Sequence, residues 1–254
     1  MTLGITLSGG PTALLELGGL RLLTDPTFDP PGDHPVGERV LVKTEESVLT
    51  EEAIGVVDAV LLSHDQHPDN LDDRGRAYLA TVPLTLITPS GAARLGGTAR
   101  GLEPWEETRV GPLTVTAVPA LHGPEGASRL TGDVTGFVLT GDDLPTVYVS
   151  GDNASVDLVR EIAARFRVDI AVLFAGAART PLFDGAPLTL TSANAAEAAK
   201  VLGAAKVVPL HLRGWQHFSE GPDVLREAFE TAGLADRLVL LEPGHRAEVC
   251  RGLS

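Results

Sequence analysis

The sequence predicts an α/β fold of four layers, in which two stacked β-sheets are covered on their outer faces by helices. Three observations lead to this prediction. Short β-rich runs bounded by Gly, Pro or Asp fill the first half of the chain, whereas apolar runs alternate with helical patterns in the second half. Neither a tandem repeat nor a low-complexity linker divides the chain. With 254 residues and 43% hydrophobic content, the chain can bury the core that such a fold requires.

The predicted strands of the first half share turn signals at their ends. They are residues 5–7, 13–17, 21–24, 59–63, 84–88 and 113–118. The predicted strands of the second half are mostly apolar enough to be buried on both faces. They are residues 135–139, 146–150, 170–174, 206–210 and 237–241.

Three helices are predicted between the later strands. Apolar residues recur at helical spacing over residues 158–166, and an alanine-rich pattern over residues 192–202 is followed by Gly203, which is suited to end a helix. The third pattern begins at Pro222 and can end at Gly233. Residues 25–52 have few periodic apolar positions, so we interpret them as a surface excursion of the kind that often shapes a binding cleft.

Charge and composition restrict the partners. The net charge is −14 and the basic residues are scattered singly, which disfavours nucleic acid and leaves a small-molecule substrate. No signal peptide is recognisable and no stretch approaches the ~20 apolar residues that a membrane span needs, so we expect a cytoplasmic protein. No feature specifies an oligomeric state. Cys250 is the only cysteine, so a metal ion within one copy must be held by nitrogen and oxygen.

Metal-ligating residue types follow several predicted buried strands. His64, His122 and His211 come after three of these strands, directly or within four residues, and Asp152 comes after a fourth. His67 lies three residues beyond His64. Since the strands of one sheet can bring distant residues to a common edge, this placement predicts a metal site there.

Each of these residues also has an ordinary structural explanation. Asp69 or Asn70 could cap a helix that begins near Leu71, and Asp152 could cap another, because both residue types accept hydrogen bonds from the free amides of a first turn. A single histidine at a strand end is commonly no more than a polar residue. Taken together, however, the placement after successive apolar strands favours the metal site.

Five segments in chain order resemble the metallo-β-lactamase superfamily, and in particular its branch of ascorbate-6-phosphate lactonase-like and N-acylphosphatidylethanolamine phospholipase D-like proteins. They are LLTDP at 22–26, DAVLLSHD at 58–65, VPALHG at 118–123, SGD at 150–152 and VPLH at 208–211. The resemblance spans nearly the whole chain and implies an αββα sandwich, as one domain over residues 1–254. It also implies one or two divalent metal ions at the sheet edge. His122, Asp152 and His211 match the later ligands, with Asp152 in the position that can bridge two metals.

The first motif departs from the family pattern His-x-His-x-Asp-His. Residues 64–70 are one residue longer than that pattern allows. Alignment from the left retains His64 but places Gln66 on the second histidine. Alignment from the right retains His67 and Asp69 but places Asn70 on the last histidine. No ungapped register keeps the full set.

Ligand chemistry narrows the choice of register. We favour His64 and His67 for one metal and Asp69 for the second, with the extra residue absorbed between them; Asp65 is the alternative to His64. Asn70 is a weaker ligand than histidine, so the site holds one ion or two. Zinc suits a three-histidine set best, and manganese or iron is the alternative.

The resemblance implies a hydrolase that uses a metal-bound water or hydroxide on a small ester, lactone or phosphoester, including an anionic one. Asp69 is the candidate catalytic residue, as a ligand or by orienting the water. The alternative is a degenerate, non-catalytic metal-binding or structural module of the same fold. His217 either faces the cleft or is an ordinary histidine beside Trp215. Arg179 and Arg213 are candidates for binding an anionic substrate, whereas His34 and His245 lie in turn sequences and are assigned no role.

Overall fold

Two β-sheets form the centre of the molecule in the computed structural model, which describes residues 2–250. The strands are β1 (Thr2–Gly9), β2 (Thr12–Leu17), β3 (Leu20–Thr24), β4 (Gly32–Val36), β5 (Arg39–Lys43), β6 (Ala59–Leu61), β7 (Thr85–Ile87), β8 (Ala99–Gly101), β9 (Glu107–Val110), β10 (Leu113–Pro119), β11 (Thr135–Thr140), β12 (Val147–Val149), β13 (Ile170–Phe174), β14 (Lys206–Leu210) and β15 (Arg246–Cys250). The helices are α1 (Glu51–Ile54), α2 (Asp73–Leu79), α3 (Pro89–Leu95), α4 (Ser128–Thr131), α5 (Val156–Ala163), α6 (Ser192–Leu202) and α7 (Pro222–Thr231). Two short 3-10 turns lie at Pro181–Phe183 and Ala235–Arg237.

Each sheet mixes parallel and antiparallel pairs. The first sheet has the order β15-β1-β2-β3-β6-β7-β8, and its strands from β3 to β8 are parallel. The second sheet has the order β14-β13-β12-β11-β10-β9, with β12, β13 and β14 parallel. Strands β4 and β5 form a separate hairpin.

Three apolar clusters separate the layers. One cluster lies between the sheets and includes Leu15 and Phe137. A second packs the outer face of the second sheet against α5, α6 and α7, with Ile162 and Leu225 fully buried. The third packs α1, α2 and α3 against the first sheet through Leu79 and its neighbours. These layers confirm the predicted four-layer α/β sandwich. The single domain predicted over residues 1–254 stays a prediction, and residues 1 and 251–254 lie outside the described ones.

Helix caps remove one ordinary explanation of the candidate ligands. The N-cap of α2 is Asp72, whose side chain accepts from the backbone N–H of Gly75. The N-cap of α5 is Ser155, whose hydroxyl accepts from Leu158. Asp69, Asn70 and Asp152 therefore cap neither helix.

The predicted strand over residues 237–241 is wrong. Only one bridge forms there, between Val207 and Leu238, with the Val239 amide donating to the Val207 carbonyl. The next residue of β14 that faces this side is Pro209, which has no N–H to continue the ladder.

The excursion over residues 25–52 contains the β4–β5 hairpin, which the sequence did not predict. His34 lies within β4, so its assignment to a turn is also wrong. Most hairpin residues are half-buried or exposed, so their sequence shows only a weak alternation of apolar and polar residues, and this alternation is the pattern that predicts a strand. Over residues 2–250, no helix combines the length and the apolar composition needed to cross a membrane.

Candidate metal centre

Six candidate ligands converge where strands of both sheets end. The segment after β6 carries His64, His67 and Asp69, whereas β10, β12 and β14 of the second sheet lead to His122, Asp152 and His211. The side chains form two groups, each with one ligand atom per residue within 4.8 Å of the others. We call His64, His67 and His122 the histidine triad, and Asp69, Asp152 and His211 the acidic triad.

Three ring nitrogens of the histidine triad point at one another. His67 Nδ1 lies 2.9 Å from His64 Nε2 and 3.2 Å from His122 Nε2. His122 Nδ1 is 2.9 Å from the carbonyl oxygen of Leu188, which can only accept, so this nitrogen carries the hydrogen and Nε2 presents a lone pair. One hydrogen on His67 cannot satisfy both neighbours, whereas a cation between the three nitrogens can.

The His64 ring, like that of His122, directs Nε2 toward His67, but a different contact fixes it. Ser63 Oγ donates to Asp25 Oδ2 at 2.8 Å, so it is free to accept from His64 Nδ1 at 3.0 Å. His64 therefore also presents an Nε2 lone pair. Burial, followed by the proximity of His67, lowers the pKa of His64 well below 6.5. Burial and His122 lower the pKa of His67 to about 4. Both rings are thus neutral near pH 7, which is the form that binds a metal ion.

The acidic triad contains ligand atoms without hydrogen-bond partners. Among the described residues, no partner is found for Asp69 Oδ1, Asp152 Oδ2 or either ring nitrogen of His211. His211 Nε2 lies 3.3 Å from Asp69 Oδ2 and 3.6 Å from Asp152 Oδ1. Burying unsatisfied carboxylate oxygens is costly unless a cation compensates them. The donor atoms of both triads therefore fit divalent ions.

Two neighbouring histidines favour the ionised form of the Asp69 carboxyl. Although burial opposes ionisation, His217 and His211 hold the pKa of Asp69 well below its usual range. Burial opposes the charge on His211 as well, but Asp152 and Asp69 raise its pKa. Two aromatic rings hold the His211 ring in place. Phe174 stacks on it with 5.4 Å between ring centroids, and the centroid of Phe218 lies 4.0 Å away. The His211 backbone is left-handed, with φ of 61°.

Asp25 and Asn70 hydrogen-bond to each other and to residues next to or within the triads. Asp25 accepts from the Ser63 amide at 2.6 Å and from Asn70 Nδ2 at 3.1 Å. Burial raises the pKa of Asp25 to about 7, against the opposing effect of the Ser63 amide. Asn70 Nδ2 also donates to Asp152 Oδ1 at 3.2 Å. The sequence assigned no role to Asp25, although its place directly after β3 is the signal shared by the other site residues.

The extra residue of the first motif is accommodated outside the triads. The Asp65 carboxylate accepts from Arg94 Nε at 3.0 Å and 3.1 Å, so it is bound to an arginine and belongs to neither triad. The Gln66 amide lies against Gly132, where an added Cβ would be 2.0 Å from Gln66 Nε2. His64, rather than its alternative Asp65, thus faces the other histidines.

A small cleft opens over His67, Asp69 and His122. Its walls come from the hairpin, the 178–188 segment and the loop after β14. The lining residues are Val36, Arg39, Leu41, His67, Asp69, His122, Ala178, Arg179, Thr180, Leu188 and His217.

His217 contacts the acidic triad directly, because its Nε2 lies 3.0 Å from Asp69 Oδ2. Of the two arginines chosen from the sequence, Arg179 lines the cleft, whereas Arg213 lines a different cavity. Arg39 lines the cleft but was not identified, because the hairpin that carries it was not predicted.

Comparison with known proteins gives both the fold and the family. The family profile described as "Beta-lactamase superfamily domain" matches residues 20–212. A "UPF0173 metal-dependent hydrolase" of Methanosphaerula palustris is 30% identical over 178 residues, which cover 68% of this chain and 76% of the relative.

Solved structures agree on the fold. An isothiocyanate hydrolase from Delia radicum gut bacteria has a TM-score of 0.84 at 24% identity and covers 98% of this chain and 100% of its own. A possible metal-dependent hydrolase from Veillonella parvula has a TM-score of 0.85 at 18% identity, covering 97% and 99%. These likenesses do not distinguish the ascorbate-6-phosphate lactonase-like branch from others. With its profile match and its 30% identical relative, this chain belongs to the beta-lactamase superfamily and, within it, to the UPF0173 metal-dependent hydrolases.

Proposed function

We propose that the histidine triad and the acidic triad each hold one divalent ion, and that the chain hydrolyses a small ester, lactone or phosphoester in the cleft above them. The observation that carries this proposal is that His67 Nδ1 lies within 3.2 Å of both His64 Nε2 and His122 Nε2, where a single hydrogen cannot satisfy both neighbours. The unpartnered oxygens of Asp69 and Asp152 support a second ion beside it.

Bound divalent ions supply a nucleophile near neutral pH by lowering the pKa of water, and they polarise the carbonyl or phosphoryl oxygen of a substrate. The residues of the chain then have distinct tasks. Asp69 lies on the cleft floor, where its ionised carboxylate can orient the attacking water. His217 is a positioning residue that fixes Asp69 through the 3.0 Å contact. Apolar side chains of the cleft, such as Leu41 and Leu188, exclude bulk water.

The donor sets bear on the choice of metal. Three imidazoles suit zinc best, and two carboxylates with one imidazole accept zinc, manganese or iron. We therefore propose zinc in the histidine triad and leave manganese or iron as the alternative for the acidic triad.

Elemental analysis of the purified chain tests the metal assignment. We expect about two divalent ions per chain in the wild type, one after either His122→Ala or Asp152→Ala, and none in the double variant. His245→Ala is the matched control, because His245 is exposed and lies outside both triads. A wild type that carries no more metal than the double variant would contradict the proposal.

A non-catalytic metal-binding module is the second candidate function. It is favoured by Asn70, a weak ligand at the place of the family's last histidine. Tight metal binding without turnover across lactone, phosphodiester and thioester substrates would support this alternative, whereas turnover of any of these substrates that is lost in the double variant would exclude it.

A further inference from the structure

Arg39 is a cation of the cleft without an acidic partner. No carboxylate of the described residues lies within ion-pair distance of its guanidinium, and its contact is a 3.4 Å hydrogen bond from Nη1 to Thr180 Oγ1. Arg21, Arg213 and Arg237 are also half-buried and without an ion-pair partner among the described residues, but of these four arginines Arg39 is the one that lines the cleft above the triads.

Arg179, the other arginine of the cleft, is already engaged. Its Nε donates to Ser219 Oγ at 3.0 Å, its Nη1 donates to the Gly185 carbonyl, and its Nη2 lies 4.0 Å from Glu220 Oε1. These contacts tie the 178–188 segment to the loop after β14. The Arg179 charge is therefore partly neutralised, and Arg39 is the cation available to a ligand.

The hairpin holds Arg39 in a fixed place over the site. The Gln216 amide donates to the Val42 carbonyl at 2.9 Å, and the Thr44 amide donates to the Gly214 carbonyl at 2.8 Å. The hairpin is thereby joined to the segment that carries His211 and His217.

We propose that Arg39 binds a carboxylate or phosphate group of the substrate, separate from the bond that is hydrolysed. A guanidinium pairs with either oxyanion through two parallel hydrogen bonds. Val36, Leu41 and Leu188 line the same cleft, so the rest of the substrate is small and apolar. The substrate class is thus a small monoanionic ester or lactone, or a phosphorylated one. This assignment rests on the proposed hydrolase function.

Matched esters test the role of Arg39 in the metal-loaded protein. Mono-4-nitrophenyl succinate carries a carboxylate, and methyl 4-nitrophenyl succinate is its neutral counterpart. In Arg39→Gln we expect KM for the anionic ester to rise roughly 10-fold to 100-fold, and KM for the neutral ester to change less than about twofold. Arg39→Lys should give an intermediate KM, because it keeps the charge but loses the paired geometry. Arg109→Gln, at an exposed position of β9, is the control for removal of an arginine elsewhere.

A binding measurement separates this inference from the hydrolase proposal. Calorimetric titration with butyrate and with inorganic phosphate reports anion binding without turnover, because neither contains an ester bond to hydrolyse. The anion whose affinity falls more in Arg39→Gln identifies carboxylate or phosphate as the group that Arg39 binds. If no ester is hydrolysed by the wild type, the hydrolase proposal fails, and the titration alone decides the role of Arg39. Equal losses for both esters, or unchanged binding of both anions in Arg39→Gln, would overturn the role of Arg39.

Discussion

The side-chain amide of Asn70 donates a 3.2 Å hydrogen bond to Oδ1 of Asp152, which lies 82 residues away in the chain. The same amide donates to Asp25 Oδ2 at 3.1 Å. Asn70 therefore links a residue after β3 with one after β12, across the junction of the two sheets. Its amide thus donates to a carboxylate of the acidic triad, in a position where the family pattern has a histidine.

Removing this amide should weaken metal binding by the acidic triad more than by the histidine triad, because Asn70 contacts Asp152 directly and reaches His64 only through Asp25 and Ser63. In Asn70→Ala we expect the affinity for the second ion to fall about 10-fold to 100-fold, because residues that orient metal ligands commonly have effects of this size. Competition with a chromophoric chelator measures the two affinities separately. Asn194→Ala, on α6, is the control, and an equal loss at both sites would refute the selective role of Asn70.

Substitutions of His64 and Asp65 should differ in their effect on metal content. His64→Ala should remove one ion per chain, since His64 faces His67 and His122. Asp65→Asn should retain both ions and lower the free energy of unfolding by about 1 kcal/mol, because its partner Arg94 is 41% exposed and the pair is screened by water. Metal content and urea unfolding of both variants test this contrast. Loss of an ion in Asp65→Asn would restore the alternative register.

Gly176 is packed against the backbone of a candidate ligand. A Cβ at this position would lie 2.0 Å from the carbonyl oxygen of His211. We expect Gly176→Ala to destabilise the protein by about 2–3 kcal/mol and to displace the left-handed turn at His211. Gly221→Ala is the control, since no heavy atom lies within 4 Å of an added Cβ there. Thermal unfolding compares the two, and equal midpoints would contradict the packing argument.

The hairpin depends on a buried ion pair. Lys43 Nζ lies 3.3 Å from Asp72 Oδ2, with side-chain exposures of 3% and 0%. Lys43→Met should lower the free energy of unfolding by about 3 kcal/mol, because it leaves the buried Asp72 carboxylate without its cation. The loss is no larger because Asp72 keeps its hydrogen bonds from the backbone amides of Asp29 and Gly75. Limited proteolysis should then cut first within the hairpin. Exposed Lys200→Met should leave both stability and cleavage unchanged.

Bound metal should stabilise the junction between the sheets, because each triad takes ligands from both. At a free metal concentration 100 times the Kd, one ion contributes about 2.7 kcal/mol to folding. Adding a chelator should therefore lower the unfolding temperature of the wild type, with no change in the His122→Ala, Asp152→Ala variant. A wild type insensitive to chelation would argue against ligation across the junction.

The sequence predicted the strands that are buried on both faces, since their apolar runs are continuous. It missed β8, β9 and β15, which lie at sheet edges, and the hairpin, where water covers part of each strand. It also placed a strand at residues 237–241, because the apolar run there does not show that the neighbouring strand contains Pro209. Local hydropathy patterns predict which strands are buried, but they do not predict which strands lie at the edge of a sheet.

For the site, placement at strand ends suggested that His122, Asp152 and His211 share one sheet edge. In the structure, His122 Nδ1 and His211 Nε2 each lie 3.6 Å from a carboxylate oxygen of Asp152. The first motif could not be aligned from the sequence, because whether Asp65 faces the site depends on Arg94, 29 residues away in the chain. Arg39 could not be found for a similar reason. Its position in the cleft, with no acidic side chain of the described residues within ion-pair distance, is visible only in three dimensions.

The hairpin of β4 and β5 contributes wall residues to the cleft but no member of either triad. Under the proposed function, the hairpin residues that would contact a substrate and the residues that would hold the ions lie in separate stretches of the chain. Substitutions or insertions in this hairpin, or changes in its charge, would leave the ligand residues at the strand ends unchanged. Related proteins could therefore differ in substrate while keeping the same metal centre.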